Sequence, residues 1–463
     1  MILASRTPGT RARRLVAAVH VYTFLDDFIL LYPVYALLFA DTGLSVAEIS
    51  SLFVIWSLTG ILLEVPSGVW ADAVSRRTLL ILAPLPAAAG FALWVAAPSY
   101  WAFALGFVLW GVRGALVSGA FEALVYEELD RLGEARRYAG LIGRAEVAGM
   151  CAVALATAAA SPVLAAGGYP ALGVASVLAC LLCAAAGAAF PEHRARRSPA
   201  GPGGPAGLID PAGPAAPAVP GGPAPGTGPG GADGAEGPGG PDGPDRSDGP
   251  DGLRGYAAIL RAGLAEVHRD RSVRRALLLV PATAAIWGAL EEYVALLVRE
   301  TGAAERSVPL WVLLVWAGVT AGGLLAGAGR RLGGGAFAGV LGLGALALAG
   351  GALSGRPAGL VAVAAAFCAF QLASLVADAR LQEAITGPSR ATVTSLANLG
   401  TDLATVGVYG AYAAVSAFTG HGAVFALFAL AYGLLALALL HGTRRRSPGG
   451  ARGRVPRGWR ASR

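Results

Sequence analysis

Ionisable side chains inside long apolar stretches are the residues of this chain that could do chemistry. Asp26 and Asp27 lie in the first such stretch, and a helix starting near Leu15 would place them roughly 16–18 Å along it, near the centre of a bilayer. Carboxylates are costly at that depth. One interpretation is that a carboxylate binds a proton or a cationic solute in a water-filled cavity. The alternatives are a salt bridge between helices, or a helix that starts later in the sequence, so that the two acids lie nearer its beginning. Adjacent residues point about 100° apart, so only one of the two can face a cavity.

Arg113 stands in the middle of the fourth apolar stretch, about 18 Å from its outer end if the stretch is helical. A guanidinium at that depth needs an acidic partner. One role would be to lower the pKa of a nearby functional carboxylate or to hold an anionic group of the substrate. The other would be to serve as the structural partner of Asp26 or Asp27. Both roles require a nearby acid.

Other polar residues of the apolar stretches extend the set of substrate-binding or proton-binding candidates. They are Tyr22, one turn before Asp26 on the same face, Glu291 and Glu292 in the seventh stretch, and Asn398 and Asp402 in the eleventh. For the last four, a functional site and helix–helix hydrogen bonding remain equally open.

Three further charged residues, Glu122, Arg144 and Glu146, belong to the fourth and fifth stretches and predict a structural ion pair. Cys180 and Cys183 form a C-x-x-C pair inside an apolar helix without a His or acidic neighbour, which favours packing over metal binding. The sequence thus predicts no metal site and no cofactor.

The composition places these residues in a membrane protein. Hydrophobic residues make up 55% of the 463 positions and charged residues 14%, a balance too apolar for a soluble enzyme of this size. About 20 apolar residues span a bilayer. Twelve segments qualify, near 15–40, 46–68, 78–97, 100–125, 138–163, 168–190, 274–298, 308–329, 335–354, 357–380, 391–418 and 420–441. We expect an all-α integral membrane protein of twelve transmembrane helices in two pseudo-symmetric six-helix bundles.

The chain divides into two bundles with a connecting segment. The bundles are predicted over 1–190 and 276–443, separated by a Gly/Pro-rich disordered linker over 191–252. An amphipathic helix on the inner leaflet is predicted over 253–275, and 444–463 is a basic tail. All 36 basic residues other than His are Arg, and most fall on one side when the spans are threaded alternately. This bias predicts that both termini lie in the cytoplasm, in a multi-pass protein of the cell membrane.

A motif stands between the second and third spans. It reads Glu64-x-Pro66-x-Gly68-x-x-x-Asp72-x-x-x-Arg76-Arg77. The spacing resembles the loop between the second and third spans of major facilitator superfamily transporters, and with the overall length it is similar to the drug-efflux-like branch. The chain departs from the pattern at Ala73, where a basic residue is usual, and at Ser75, where Gly is usual.

The resemblance implies two halves related by an axis along the membrane normal, with the substrate bound between them near the midplane. It also implies a conformational role for the motif loop. Arg76 or Arg77 would pair with an acid at the inner end of the fourth span, and Asp72 would face the start of the eleventh. The candidate acids are Glu127, Glu128 and Asp130. Such a latch would hold the outward-open state, and breaking it would shift conformational populations.

Three classes of function remain open. A secondary transporter of a small molecule, with protons as the coupling ion, accounts for the buried acids, the two halves and the absence of a nucleotide motif. An enzyme is not expected, because five His, mostly at span ends or in loops, do not form a catalytic set. A sensor with the transporter fold is the third class. We expect the protein to be a monomer in the lipid bilayer and to have no nucleic-acid partner.

The direction of transport is open as well. The motif loop favours export, and Arg113 resembles the lone Arg in the fourth span of proton-coupled members of the superfamily. The fifth span, 141–160, lacks the Gly-Pro signature that antiporters of the superfamily carry. An importer of a small metabolite therefore remains the alternative to proton-coupled efflux.

Overall fold

The computed structural model describes residues 8–191, 270–385 and 390–446, and it describes the backbone alone at residues 8–10, 64–73, 391 and 443–446. These ranges are helical with short turns and contain no strand. The predicted linker after residue 191, the predicted amphipathic segment up to residue 269 and the basic tail after residue 446 lie outside the described residues.

The described chain forms fifteen α-helices. Those before the linker are α1 (Pro8–Asp27), α2 (Tyr35–Asp41), α3 (Val46–Ala73), α4 (Arg76–Leu82), α5 (Pro84–Ala96), α6 (Tyr100–Val117), α7 (Ala120–Arg131) and α8 (Tyr138–Gly187). Those after it are α9 (Arg271–Glu291), α10 (Val294–Glu300), α11 (Val308–Gly329), α12 (Gly334–Leu353), α13 (Leu360–Ala384), α14 (Arg390–Ser416) and α15 (His421–Arg446). We call α1–α8 the first half and α9–α15 the second half.

The predicted spans correspond to these helices. By length and composition, nine helical stretches among the described residues are long and apolar enough to cross a membrane. The longest, Ala135–Gly187, contains the predicted fifth span and most of the sixth, because α8 continues through a bend at Gly168. The φ of 61° at this glycine is accessible without steric cost only to a residue lacking Cβ. All twelve predicted segments contain helix, so the all-helical membrane fold expected from the sequence is confirmed.

Two spans are interrupted at their acid pairs, where the sequence predicted continuous helices over 15–40 and 274–298. The prediction of continuity is wrong at both positions. Helix α1 ends at Asp27, and the segment up to Val34 contains Pro33, which has no N–H to donate and disfavours helical geometry in the preceding residue. A two-residue turn separates α9, which ends at Glu291, from α10. Each acid pair therefore stands at the carboxyl end of a helix.

The motif loop is built around a helix cap. Ser75 is the N-cap of α4, and its Oγ accepts a hydrogen bond from the backbone N–H of Thr78 at 3.2 Å. Ser and Thr are favoured there because the side-chain oxygen satisfies an N–H that the helix leaves free. The φ of −57° at Ser75 is ordinary for any residue. The departure from the family's glycine at this position thus imposes no backbone strain.

The two halves repeat the same helix packing. In the first half α3 and α5 pack on α6, and α5 also packs on α8. The corresponding pairs in the second half are α11 and α12 on α13, and α12 on α15. Between the halves, α3 packs on α14 and α8 packs on α11. These two contacts are exchanged by the pseudo-symmetry, so the interface between halves has two equivalent sides.

Glycines let α11 and α13 approach closely. A Cβ atom on Gly318 would meet the carbonyl oxygen of Ala364, and one on Gly322 would meet the carbonyl oxygen of Cys368. Small residues four positions apart allow this approach in membrane helices, where dispersion contacts rather than the hydrophobic effect hold helices together. The neighbouring Gly323 faces open space.

We predict that Gly322→Ala destabilises the protein and Gly323→Ala does not. The added methyl group at position 322 must push apart two backbones, and overpacking of this kind costs about 1–3 kcal/mol. Thermal unfolding of the purified protein in one detergent measures both variants. Equal unfolding temperatures for the two variants would contradict the close approach of α11 and α13.

Candidate functional site

A cavity of about 190 Å³ lies between the two halves. The first half lines it with Tyr32, Pro33, Tyr35, Ala36, Trp56 and Trp110, and the second half with Glu291, Glu292, Ala295, Val312 and Trp316. Both helix interruptions therefore contribute to the same space. The sequence had placed Glu291 and Glu292 among the candidates, and the structure brings them to this cavity together.

The wall from the first half is aromatic. Trp110 on α6 stacks on Tyr32 from the segment between α1 and α2, with ring centroids 4.9 Å apart, and on Trp56 of α3, with centroids 5.1 Å apart. Tyr35 of α2 meets Trp110 edge-on. Offset stacks and edge-on contacts are the favoured geometries of aromatic rings. Four elements of the first half thus hold their rings in one surface.

The wall from the second half carries the charge. Glu291 is the last residue of α9 and Glu292 its C-cap, and both side chains are partly buried. The side chain of Trp316 lies beside the Glu291 carboxylate and lines the same cavity. Neither glutamate forms an ion pair within the described ranges. The carboxyl end of a helix is itself partially negative, so the backbone of α9 adds to the negative potential at this wall.

Asp26 and Arg113 form an ion pair inside the first half. The Arg113 Nε atom donates to Asp26 Oδ1 at 3.1 Å, and its Nη2 atom contacts Oδ2, so the guanidinium binds the carboxylate through two atoms. The Arg113 side chain is 17% exposed and the Asp26 side chain 15%. The Cys183 thiol lies 3.8 Å from the same Oδ1. Arg113 therefore has Asp26 as its acidic partner, as a structural role for this arginine requires.

Asp27 has a different environment from Asp26. Its Oδ2 lies against Gly149 of α8, where a Cβ atom would clash with it, and no ion pair involves it among the described side chains. Tyr22, expected to share the site, is buried at 1% exposure, and its hydroxyl donates to the carbonyl oxygen of Leu80 at 3.2 Å. The hydroxyl of Tyr22 thus has a backbone partner, whereas the carboxylate of Asp27 has none among the described residues.

Beyond the cavity, a layer of aromatic side chains joins the two halves. Tyr293, between α9 and α10, donates its hydroxyl to Ser50 Oγ of α3 at 2.7 Å and stacks on Tyr412 of α14 with centroids 3.6 Å apart. Phe53 of α3 contacts the rings of both Tyr293 and Tyr409. All five side chains are buried. This layer closes the cavity on the side where α2 and α10 end.

A polar cluster joins the halves further along α2 and α10, and we call this end of the molecule the closed end. Arg299 Nη1 contacts Asp41 Oδ1 at 2.5 Å. Tyr169 lies between two acids, with its hydroxyl 2.6 Å from Asp41 Oδ2 and 3.3 Å from Glu305 Oε1. Ser161 also donates to the carbonyl oxygen of Arg306 at 2.5 Å. Sequence reasoning missed this cluster, although the acids and arginines at the ends of the first and seventh spans were a signal for it.

The opposite end carries arginines whose described ion pairs lie within one half, and we call it the arginine end. Arg76 pairs with Glu127, the pairing that the family resemblance implied, and Arg77 donates to the carbonyl oxygen of Ala188 at 2.5 Å. Arg131 pairs with Glu128 at 3.0 Å, and in the second half Arg330 lies 3.6 Å from Glu383. Asp130 is exposed. At Glu64, Pro66, Gly68 and Asp72 the structure describes the backbone alone.

The other candidates do not gather at the cavity. Asn398 is exposed and Asp402 is partly buried on α14, and neither is among the described lining residues. The predicted ion pair of Arg144 with Glu122 is not formed within the described chain. Arg144 is exposed and donates its Nε–H to the carbonyl oxygen of Gly140, one turn earlier on α8, which removes the need for a carboxylate partner. Glu146 is exposed as well.

Several aromatic residues of the cavity had no signal in the sequence. Tyr32 and Trp110 stand in apolar stretches where a ring is equally suited to packing or to lipid contact. Tyr35, Trp56 and Trp316 stand in stretches of the same kind and line the cavity as well. Trp287, Tyr293 and Trp311 are not among the described lining residues, and the Trp287 indole donates to Ser374 Oγ at 3.0 Å.

A family comparison identifies the class of protein. The model of the Major Facilitator Superfamily matches residues 16–407. Because the match covers most of the chain, the protein belongs to this superfamily of membrane transporters, and it is a multi-pass membrane protein. No curated protein sequence matches the chain.

Solved structures show the same fold. The crystal structure of the nucleoside transporter NupG aligns with a TM-score of 0.65 and 11% sequence identity, covering 94% of this chain and 99% of that one. A bacterial homolog of the human lysosomal transporter Spinster, in an inward-facing and unoccupied conformation, aligns at 0.62 with 15% identity, covering 96% and 98%. An auto-inhibited POT family peptide transporter aligns at 0.58 with 15% identity, covering 95% and 98%. At these identities the likeness establishes the fold and no substrate.

We predict that Arg113→Gln destabilises the protein by about 3–5 kcal/mol, because it leaves the Asp26 carboxylate buried without a counter-charge. Asp26→Asn is expected to cost less, since Asp27 is adjacent and can take over the guanidinium. The double variant Asp26→Asn/Arg113→Gln should recover most of the loss. Thermal unfolding of the four proteins measures the cycle.

The matched control is the exposed pair Arg137–Glu134, three residues apart with Nη1 and Oε2 at 3.0 Å. Neutralising Arg137 should cost about 0–1 kcal/mol, as expected of a surface pair. If Arg113→Gln costs no more than Arg137→Gln, the ion pair with Asp26 does not hold the first half together.

Proposed function

We propose that this protein is a secondary active transporter that moves a small organic solute by alternating access, coupled to protons and directed out of the cell. The observation that supports the proposal most is the position of the cavity. It lies between two halves of equivalent architecture, and contacts between those halves close it towards one end of the molecule. A single chain supplies both the cavity and these contacts, which fits a monomer in the cell membrane.

Alternating access requires contacts that can break during each cycle. The closed end meets this requirement, since Arg299 and Asp41 are 41% and 39% exposed. An exposed ion pair contributes about 0–1 kcal/mol. A ligand that binds one conformation more tightly than the other can offset the loss of such a pair. The layer formed by Tyr293, Ser50 and Phe53 joins the halves through one side-chain hydrogen bond and through ring contacts. Neither layer contains a covalent link or a buried ion pair.

The orientation follows from the arginine bias. With the arginine end in the cytoplasm, the closed end faces outward and both termini are cytoplasmic. The conformation described here is then one in which the outer side is shut. The latch is predicted to hold the outward-open state, yet the Arg76–Glu127 pair is present in this conformation. Because both residues belong to the first half, this pair alone does not distinguish the two conformations. That latch also involves Asp72.

Proton coupling is supported by carboxylates without a counter-charge. Asp26 is committed to Arg113, whereas Asp27, Glu291 and Glu292 form no ion pair with any described side chain. Acids at such positions in membrane helices are the usual components of proton relays. Of the two acids of the first span, Asp27 is therefore the better candidate for a proton-binding group. Export rests on the motif loop, and import is the alternative direction.

We predict that the closed end opens and shuts in solution. Spin labels at Ala47 in the first half and Ala304 in the second half, both exposed, report the separation of the halves once Cys151 and Cys368 are replaced by Ala. Two distance populations are expected. Asp41→Asn should raise the population of the longer distance by up to about five-fold, the worth of an exposed ion pair.

Two controls make this experiment specific. A label pair at Ala47 and Ala97, both in the first half, should give one distance in every variant. Glu48 lies at the same end, and among the described residues its carboxylate is bonded only to Ser45 of its own half, so Glu48→Gln should leave the populations unchanged. Between pH 5 and 8 the populations should shift in the native protein and stay fixed in Asp27→Asn/Glu291→Gln/Glu292→Gln. A single invariant distance would refute transport and favour a sensor with the transporter fold.

A further inference from the structure

We infer that the cavity binds a small organic cation that carries one ammonium group next to an aromatic or aliphatic body. This inference rests on the proposed transporter function and specifies the substrate class of its cavity. It draws on three properties of the site: the charge of the wall from the second half, the rings of the first half, and the volume between them.

The ionisable groups that line the cavity are acidic, and the wall is negative when they are deprotonated. Glu291 and Glu292 contribute two carboxylates, and the described lining residues include no Arg or His. Arg113 lies one turn beyond Trp110 on α6, but its guanidinium is bound to Asp26, so that pair contributes little net charge. The carboxyl end of α9 adds a partial negative charge, the arrangement with which interrupted helices bind cations in membrane transporters. An anionic substrate would be repelled by this wall.

The rings opposite the acids favour the same class of ligand. Tyr32, Trp56 and Trp110 form the stacked wall, and Trp316 lies beside Glu291. A cation within about 6 Å of a ring centroid is attracted by the ring's quadrupole, and Trp is the strongest partner. The same surfaces give a hydrocarbon body dispersion contacts. The cavity thus offers two carboxylates to an ammonium group. Its aromatic wall offers ring faces to the same group and dispersion contacts to the hydrocarbon substituents.

The volume limits the size of the ligand. At about 190 Å³ the cavity is smaller than the roughly 300–1,000 Å³ of sites for drug-sized molecules. A ligand with a single ring and one ammonium group is the size that fits. Phenyltrimethylammonium is a suitable probe, because its neutral isostere tert-butylbenzene has the same shape and benzenesulfonate carries the opposite charge.

The test is direct binding of radiolabelled phenyltrimethylammonium to the full-length protein in lipid nanodiscs. We expect saturable binding that neither tert-butylbenzene nor benzenesulfonate displaces at equal concentration. Glu291→Gln/Glu292→Gln should weaken binding by about ten-fold or more, because it removes both partners of the buried ammonium group. Trp316→Leu should weaken it too, and Trp316→Phe should retain most of it, as a ring contact requires.

The control variant is Asp378→Asn, which neutralises an exposed acid of α13 away from the cavity and should bind as the native protein does. Each variant is first checked by thermal unfolding, and the single variants Glu291→Gln and Glu292→Gln replace the double variant if that one fails to fold. Absence of saturable binding, equal displacement by the neutral isostere, or full binding by the folded glutamate variants would overturn the inference.

The outcome is separable from that of the transporter proposal. If the closed end opens and no cation binds, the substrate class is wrong and alternating access stands. If the cation binds through Glu291 and Glu292 while the closed end never opens, the inferred chemistry of the cavity holds and transport fails.

Discussion

A charge held among apolar helices must be neutralised by a partner, by a proton or by a bound ion, and this constraint organises the structure. In the first half it is met for Asp26, since Arg113 binds its carboxylate through two atoms, whereas Asp27 has no ion pair among the described residues. In the second half it is not, because Glu291 and Glu292 face the cavity without a basic partner among the described residues. We therefore propose a structural role for the Asp26–Arg113 pair and a binding role for the two glutamates.

Helix interruption is the means by which the acids reach their positions. A continuous helix keeps its carbonyl groups bonded along its whole length, whereas an interrupted one presents unpaired carbonyl groups at its end. Helices α1 and α9 both end at an acid pair, and the segments that follow, containing Pro33 and Tyr293, turn the chain along the cavity. The two halves thus place the same device on either side of one interface. They differ in that one acid of the first half, Asp26, is bound to an arginine, Arg113.

Sequence reasoning reached the parts of this arrangement that follow from local pattern. Apolar length gave the helical segments and the two halves, and the rarity of charge in those segments pointed to Asp26, Arg113 and Glu291. It failed where the outcome depends on distant residues. The contact of Asp41 with Arg299 joins positions 258 apart, and no local pattern specifies it. Nor did apolarity distinguish rings that line a cavity, such as Trp110, from rings that pack, because both occur in the same kind of stretch.

The central claim is that the unpaired acids of the cavity meet water from one side of the membrane at a time. Labelling of a single cysteine at position 292, in a protein without its native cysteines, tests this claim most directly. A membrane-impermeant thiol reagent is applied separately to each face of oriented vesicles. We predict rapid labelling from the side of the arginine end, and slower labelling from the closed end that accelerates when Asp41 is neutralised. Labelling from neither side, or from one side alone in every variant, would contradict the account.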